Sequence, residues 1–194
     1  MPKTKSKTTL ITFPTVLTIM RIILVAPLML CLFSDALPAK ICALICFVVA
    51  AITDFVDGRL ARKYHQVTDL GAFLDPLADK MLVNLTFFAL CMTGILHPAI
   101  FGVILIRDFA VDGMRMMVAK TGVTVSASIF GKAKTMTQML MLTFALIRNL
   151  LTIPTPFLDN LIAVLTAAML ILTIYSGCDY LIKGWQLLKA APRQ

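Results

Sequence analysis

Six apolar stretches, each about long enough to cross a lipid bilayer, follow one another along this chain with only short connections between them. A transmembrane helix needs about 20 predominantly apolar residues. The composition agrees, because 59% of the 194 residues are hydrophobic and only 14% are charged, well below the charged fraction of soluble domains. The sequence therefore predicts an all-α membrane protein, a six-transmembrane-helix bundle forming one domain (1–194), with helices at approximately 14–34, 39–62, 70–93, 97–119, 133–150 and 158–182.

The distribution of basic residues predicts how this bundle is oriented. Lys and Arg together number 18 against ten acidic residues, all of them Asp, for a net charge of +8. These cations flank or interrupt the apolar stretches and form no soluble basic face, so we expect no nucleic-acid partner. Positive-inside counting predicts a multi-pass protein of the cell (inner) membrane with both termini cytoplasmic, with these loop cations inside: Arg62, Lys63, Lys120, Lys132 and Lys134.

Most charged residues of the first five predicted helices fall in the same half of the membrane. In the predicted topology they lie on the cytoplasmic side, with Lys40 and Arg148 on the far side, although separate helices had no need to agree. Intramembrane charges are costly and usually face a bundle interior or a polar cavity. The sequence therefore predicts a polar cavity open to the cytoplasm, near Arg21, Asp54, Asp57, Asp75, Asp79, Lys80, Arg107, Asp108, Asp112, Arg115, Lys132 and Lys134.

Four aspartates form the clearest candidate site. Asp54 and Asp57 are three residues apart at the end of the second predicted helix, and Asp75 and Asp79 are four apart in the third, so each pair shares a helix face. A single Asp at a helix end is more often a cap, so the prediction depends on the whole set. Carboxylates this close repel unless cations neutralise them, and hard oxygen ligands suit Mg²⁺ or Mn²⁺. We expect two divalent metal ions, an arrangement that serves phosphoryl chemistry.

Small residues follow the first aspartate pair. Gly58 and Ala61 leave the helix nearly bare, so a nucleotide or pyrophosphate could lie against it. Arg62 lies eight residues beyond Asp54, roughly 12 Å along a helix axis, which suits a contact with the far phosphate of a diphosphate on the metals.

The pattern Asp54-x2-Asp57-Gly58-x2-Ala61-Arg62-x8-Gly71-x3-Asp75-x3-Asp79 resembles the signature of the CDP-alcohol phosphotransferases at every fixed position. The resemblance implies a cytoplasm-facing site, usually in a homodimer. It implies that Asp54, Asp57, Asp75 and Asp79 bind metal and that Asp79 is also the catalytic base. Contacts to the lipid donor, CDP-diacylglycerol, would come from Thr18, Arg21, Gly58, Ala61, Arg62 and Gly71.

Other segments are similar to the phosphatidylglycerophosphate synthase branch of that family. These are Pro14 to Arg21, Asp79-Lys80, the Arg107…Gly113-Met-Arg115 pattern and Gly131 to Gln138. That branch usually has Glu where this chain has Asp108, and a small hydroxyl residue where it has Asp112. The resemblance implies transfer of the phosphatidyl group to sn-glycerol 3-phosphate, which gives phosphatidylglycerophosphate and CMP.

Four cations predict where a phosphate-bearing acceptor binds. Arg107 and Arg115 are about two helical turns apart, so both could face one cavity, and Lys132 and Lys134 lie on the same side of the membrane in the next predicted helix. The alternative is internal pairing of these arginines with Asp108 and Asp112. We expect the two aspartates to orient the arginines, and Arg107 and Arg115 to contact the acceptor.

Several alternatives remain open or are disfavoured. Inositol phosphate, serine or phosphatidylglycerol could replace glycerol 3-phosphate with the same chemistry. A cation transporter is disfavoured, because the outer halves of the second, third and fifth helices lack polar residues. Gly131-Lys132 does not match a Walker A loop, since Ser126 and Ala133 occupy its required Gly and Ser/Thr positions. Tyr175, Tyr180 and Trp185 are expected to be interfacial anchors.

Overall fold

The computed structural model describes residues 13–64, 69–121, 129–151 and 153–190. Within these ranges the regular structure is entirely helical, as the apolar stretches predicted. Six helices follow one another along the chain: α1 (Phe13–Leu32), α2 (Leu37–Tyr64), α3 (Asp69–Met92), α4 (Pro98–Ala119), α5 (Ile129–Leu150) and α6 (Pro156–Ala190).

Prolines and local caps set several of the helix ends. α4 begins at Pro98, where a missing N–H costs nothing, and the side chain of His97 accepts a hydrogen bond from the backbone N–H of Ala99. α6 likewise begins at a proline, Pro156. Gly94 follows α3 with a φ of 77°, a left-handed conformation that glycine adopts without steric cost. These boundaries match the predicted helices closely.

α6 is the exception to this agreement. It was predicted to end near residue 182 but continues to Ala190, for a total of 35 residues. The extension, residues 183–190, mixes charged and apolar residues, and an ion pair between Asp179 and Lys183 spans one helical turn at its start at 2.8 Å. A sequence without an apolar run gives no hydropathy signal, which is why the extension was missed.

The chain divides into two compact units, residues 1–93 and 94–194. In the first unit α1 packs along both α2 and α3, so α1 is the central helix. Its core is formed by fully buried apolar side chains, among them Leu28, Leu32, Phe47, Leu82, Phe87 and Leu90. The prediction of one domain stays a prediction.

In the second unit α6 takes the central place and packs against both α4 and α5. Buried residues recur along α6 at alternating steps of three and four, which keeps them on one face. The core includes Ile104, Val111, Met141, Leu142, Leu146 and Met169. Polar residues also lie on the buried face of α6, including Thr173 and Ser176, which are fully buried.

One helix of the described part, α6, is long and apolar enough by length and composition to cross a membrane. Shorter apolar helical segments cover Val16–Leu32 and Leu37–Thr53. α4 falls short because Arg107, Asp108, Asp112 and Arg115 interrupt it. Large apolar side chains are nevertheless more than half exposed in both units, a pattern that soluble proteins avoid, at Ile23, Leu30, Ile45, Ile52, Val164 and Ile171.

Candidate functional site

In the first unit, an ion pair joins α1 to the aspartate signature on α3. Nη1 of Arg21 donates to Oδ1 of Asp79 at 2.8 Å. The side chain of Arg21 is only 1% exposed, whereas that of Asp79 is 46% exposed. A buried guanidinium therefore holds a carboxylate that remains accessible at the surface of this unit.

This ion pair has two consequences for the chemistry of Asp79. The adjacent positive charge is complementary to a carboxylate, a group that can bind a metal ion or accept a proton. The bond also fixes the orientation of the carboxylate, because the side chain of Arg21 is buried in the packed interior of the first unit. Thr18, one turn earlier on α1, is fully buried as well. Both α1 residues predicted to contact the donor thus lie on the face of α1 that is packed in the unit interior.

Most of the remaining signature residues lie outside the part of the chain whose side chains are described. Their backbones belong to α2 and α3, at the end of the former and the beginning of the latter. Among the described residues no three His, Cys or Asp side chains form a metal site, but three of the four predicted ligands are not in that set. The predicted site residues outside that part are Asp54, Asp57, Gly58, Ala61, Arg62, Gly71 and Asp75.

In the second unit, one carboxylate is shared by two cations from different helices. Asp108 accepts a hydrogen bond from Nη1 of Arg107 at 2.9 Å. Its two oxygens also lie 3.1 and 3.3 Å from Nζ of Lys134 on α5. The three side chains are mostly buried, at 16%, 14% and 7% exposed for Arg107, Asp108 and Lys134. We call Arg107, Asp108 and Lys134 the cation cluster, because it holds two positive charges against one negative charge.

The cation cluster is also tied to α6. Nη2 of Arg107 donates to Oγ of Ser176 at 2.9 Å. Two predictions were made for Arg107, internal pairing with Asp108 and membership of a group of cations. The structure shows the pairing with Asp108, and it also shows Lys134 on the same carboxylate. The expectation that Asp108 orients Arg107 agrees with this geometry.

Arg115, about two turns beyond Arg107 on α4, contacts Tyr180 of α6. Its Nη2 donates to the hydroxyl of Tyr180 at 3.1 Å, and its guanidinium carbon lies 5.2 Å from the ring centroid. The expectation that Tyr180 is an interfacial anchor is wrong, because this side chain is 4% exposed. It lies on the same buried stripe of α6 as Ser176, whereas Tyr175 and Trp185 lie off the stripe and are more than half exposed.

The two lysines of α5 differ in their surroundings. Lys134 is buried in the cation cluster, while Lys132 is exposed. Two residues along a helix turn the side chain to nearly the opposite side, so both cannot face α6 in the same way. The structure therefore brings together Arg107 and Lys134 of the four predicted acceptor cations, and places Arg115 about two turns further along α4.

Two residues of this neighbourhood, Ser176 and Gly177, were not predicted from the sequence. Ser176 is 69 residues from Arg107 along the chain, and a serine within an apolar helix gives no signal of such a contact. A weak signal did exist: Thr173, Ser176, Gly177 and Tyr180 recur at helical spacing within an otherwise apolar stretch.

Comparison with known proteins places these features in a family. The profile of the family described as CDP-alcohol phosphatidyltransferase matches residues 11–176. The chain is 38% identical over 161 residues to the CDP-diacylglycerol–glycerol-3-phosphate 3-phosphatidyltransferase of Bacillus subtilis (strain 168), covering 81% of each chain. It is 34% identical over 171 residues to the enzyme of that name from Rickettsia bellii (strain RML369-C), covering 86% of this chain and 92% of the relative.

A third relative agrees. The chain is 35% identical over 173 residues to a probable phosphatidylglycerophosphate synthase of Mycobacterium tuberculosis (strain ATCC 25618 / H37Rv), covering 87% of this chain and 79% of the relative. These matches extend across both compact units, so the likeness is not confined to the aspartate signature. The chain belongs to the CDP-alcohol phosphatidyltransferase family.

Proposed function

We propose that this protein transfers the phosphatidyl group of CDP-diacylglycerol to sn-glycerol 3-phosphate, which yields phosphatidylglycerophosphate and CMP. The observation that carries the proposal is the similarity, over four fifths of the chain, to enzymes named for this reaction. The charge pattern supports it, because the acidic signature in the first unit suits metal ions and the cation cluster in the second suits a phosphate monoester.

The donor side of the proposed site consists of the aspartate signature. Four carboxylates are hard oxygen donors of the kind that Mg²⁺ and Mn²⁺ prefer, and the accessible, Arg21-bonded carboxylate of Asp79 is consistent with this role. Asp54, Asp57, Asp75 and Asp79 would hold two such ions. The chemistry these ions supply is neutralisation of the donor's diphosphate and of the charge that develops during transfer.

The reaction itself needs one base. The C1 hydroxyl of glycerol 3-phosphate gives its proton to Asp79, and its oxygen forms a bond to the phosphorus on the lipid side of the diphosphate. The bond from that phosphorus to the bridging oxygen breaks, and CMP leaves with the electron pair. Because a carboxylate is a weak base, we expect proton transfer to accompany or follow formation of the P–O bond.

On the acceptor side, the cation cluster and Arg115 would bind the phosphate of glycerol 3-phosphate. Arg107 and Lys134 lie against the same carboxylate, that of Asp108, and their N–H groups are donors of the kind that bind phosphate oxygens. Gly58, Ala61, Arg62, Gly71 and Thr18 would contact the donor, as the family signature implies. Lys132 is exposed on α5 and would act at longer range.

The proposed setting is the cell membrane. We infer six transmembrane helices, cytoplasmic termini and a cavity open to the cytoplasm, because most charges within the first five helices fall in one half of the predicted topology. The donor is a lipid with a polar head, so a site at this depth would accept it from the cytoplasmic leaflet. A homodimer is inferred from the family resemblance.

The test is an acceptor panel with the purified full chain. CDP-diacylglycerol is offered in mixed micelles with Mg²⁺ or Mn²⁺ and one acceptor at a time: glycerol 3-phosphate, inositol phosphate, serine or phosphatidylglycerol. We expect CMP release with glycerol 3-phosphate, and its loss when EDTA removes the metal. Preference for another acceptor would contradict the acceptor assignment, and absence of CMP release with all four would contradict the family chemistry for this chain. Ion flux in liposomes without donor would favour the transporter instead.

A further inference from the structure

The guanidinium of Arg107 is held from two helices at once. Nη1 is bonded to Asp108 on its own helix and Nη2 to Ser176 on α6. Ser176 is fully buried, and its hydroxyl is 3.4 Å from the carbonyl oxygen of Thr173, to which it donates. Because the hydroxyl proton is used there, the oxygen lone pairs are left to accept from Arg107. The direction of donation in this chain of hydrogen bonds, from Arg107 to Ser176 to the carbonyl of Thr173, is therefore set by α6.

Gly177, the next residue of α6, leaves the space in which the stem of Arg107 lies. A Cβ added at Gly177 would be 2.9 Å from Cγ and 3.4 Å from Nε of Arg107. The shorter distance is well below ordinary contact between two carbon atoms, so any side chain at 177 would displace the arginine. Glycine is thus required here for close approach and not for its backbone freedom.

An arginine held in this way is prepared for an anion before the anion arrives. A free Arg side chain loses rotamer entropy when it is fixed, and here the protein has already fixed it. A second cation, Lys134, contacts the same carboxylate, and a pair of cations is the kind of group that binds a phosphate.

We propose that Ser176 and Gly177 are positioning residues for the acceptor phosphate, and that they act only through Arg107. This inference rests on the proposed function, and it adds α6 to the determinants of acceptor binding. Neither residue contacts the reacting atoms in this account. Their effect is confined to the placement of one guanidinium, so the donor and the chemical step are affected little.

Steady-state kinetics on the full chain test this with Ser176→Ala and Gly177→Ala. CMP release is measured while glycerol 3-phosphate is varied at saturating CDP-diacylglycerol, and then the reverse. Since a hydrogen bond to a charged group is lost in S176A, we expect the KM for glycerol 3-phosphate to rise about tenfold. The KM for CDP-diacylglycerol should stay within about twofold of the wild type, since the donor contacts are untouched. Equal changes in both KM values, or none, would overturn the proposal.

Gly184→Ala is the matched control for G177A. Both glycines lie on the buried stripe of α6, and a Cβ at Gly184 would also be crowded, at 2.3 Å from Cγ of Met114 instead of an arginine atom. G184A should lower the melting temperature at least as much as G177A but leave the KM for glycerol 3-phosphate unchanged. If G184A raises that KM as much as G177A does, crowding of α6 in general is responsible and the proposal is wrong.

A double-mutant cycle with Arg107→Lys separates positioning from a direct role. Lysine cannot bridge Asp108 and Ser176 as the planar guanidinium does. In the R107K background, S176A should therefore change the KM for glycerol 3-phosphate by less than about twofold. A full, additive effect would mean that Ser176 acts independently of Arg107.

Failure of the proposed function gives a different result from failure of this inference. If the wild type releases no CMP with glycerol 3-phosphate, the proposed function is contradicted. Calorimetric titration of the wild type and the variants with glycerol 3-phosphate then still decides the positioning claim, with weaker binding expected for S176A and G177A and unchanged binding for G184A. If S176A and G177A bind as the wild type does, the inference is wrong whatever the reaction.

Discussion

The two units differ in how their buried charged side chains are paired and how exposed the carboxylate of each group is. In the first unit, Arg21 and Asp79 form a pair in which one cation meets one anion, and the anion is the exposed partner. In the second, two cations share Asp108 and all three side chains are largely withdrawn from solvent. The first arrangement presents a carboxylate, and the second gathers two cations around one carboxylate.

This difference indicates which ligand each unit is prepared for. A presented carboxylate, next to further aspartates in the sequence, suits divalent cations, while Arg107 and Lys134 side by side suit an anion. Burying charge destabilises a fold unless a ligand or a hydrogen-bond network compensates. In the second unit Asp108 and Ser176 accept hydrogen bonds from Arg107, and we expect the acceptor phosphate to accept further ones.

The largest effect should come from Asp79→Asn. Asparagine keeps the shape of the side chain and can still accept the hydrogen bond of Arg21, but it cannot accept a proton as the carboxylate does. We expect kcat to fall about 10³-fold or more. CMP release measures the loss, and binding of CDP-diacylglycerol by the same variant should largely survive. Retained turnover would refute the role of Asp79 as base.

Asp108→Asn should unbalance the cation cluster. The variant leaves Arg107 and Lys134 close together without their shared anion, in largely buried surroundings. Removing one partner of a buried ion pair costs about 3 kcal/mol, which corresponds to a fall in melting temperature of roughly 6–12 °C for a chain of this size. The measurement is thermal unfolding in detergent without phosphate. Partial recovery of the melting temperature on addition of glycerol 3-phosphate would support the contrast between the two units. An unchanged melting temperature in D108N would contradict it.

Arg21→Lys tests the ion pair of the first unit. Lysine keeps the charge but is shorter, and it lacks the planar set of donors that holds Asp79. We expect kcat to fall about tenfold with little change in the KM for glycerol 3-phosphate, because misplacement of the base affects the chemical step. Wild-type kcat in R21K would show that this contact does not orient Asp79 for the reaction.

Asp159→Asn should have the smallest effect and serves as the exposed reference. Nε of Arg148 donates to Asp159 at 2.6 Å, a distance as short as those in the buried groups, but the side chains are 27% and 48% exposed. Exposed pairs contribute about 0–1 kcal/mol, so the melting temperature should fall by less than about 4 °C. A loss as large as that of D108N would mean that burial does not explain the difference between these ion pairs.

The sequence predicted the helices well because apolar length and proline position are local properties. α4 and α6 begin at prolines within two residues of the predicted starts. The end of α6 was missed because its last turns, residues 183–190, mix charged and apolar residues and so have no clear hydropathy signature. Membrane crossing by all six helices stays a prediction.

The sequence predicted the charged residues of the candidate site, because charged residues stand out within an apolar helix. It did not predict which of them contact residues of a helix that is distant along the chain. Arg107 and Lys134 were identified as cations of one site, and Asp108 as a residue that orients an arginine. The contact of Arg107 with Ser176 and that of Arg115 with Tyr180 join positions 69 and 65 residues apart, and no local pattern encodes them. Tyr180 was misassigned because aromatic residues near a helix end are common at membrane interfaces, and only packing reveals that this ring is buried.

The length of α6 has a practical consequence. At 35 residues the helix extends for roughly 52 Å, while the hydrocarbon core of a bilayer is about 30 Å thick. Its last turns carry Lys183 and Lys189, both exposed, and Lys189 lies over the ring of Trp185 at 5.5 Å. A fluorophore attached at Lys183 would thus lie about two turns beyond Ser176 on nearly the same side of the helix, and its emission could report movement of that end of α6 when an acceptor binds.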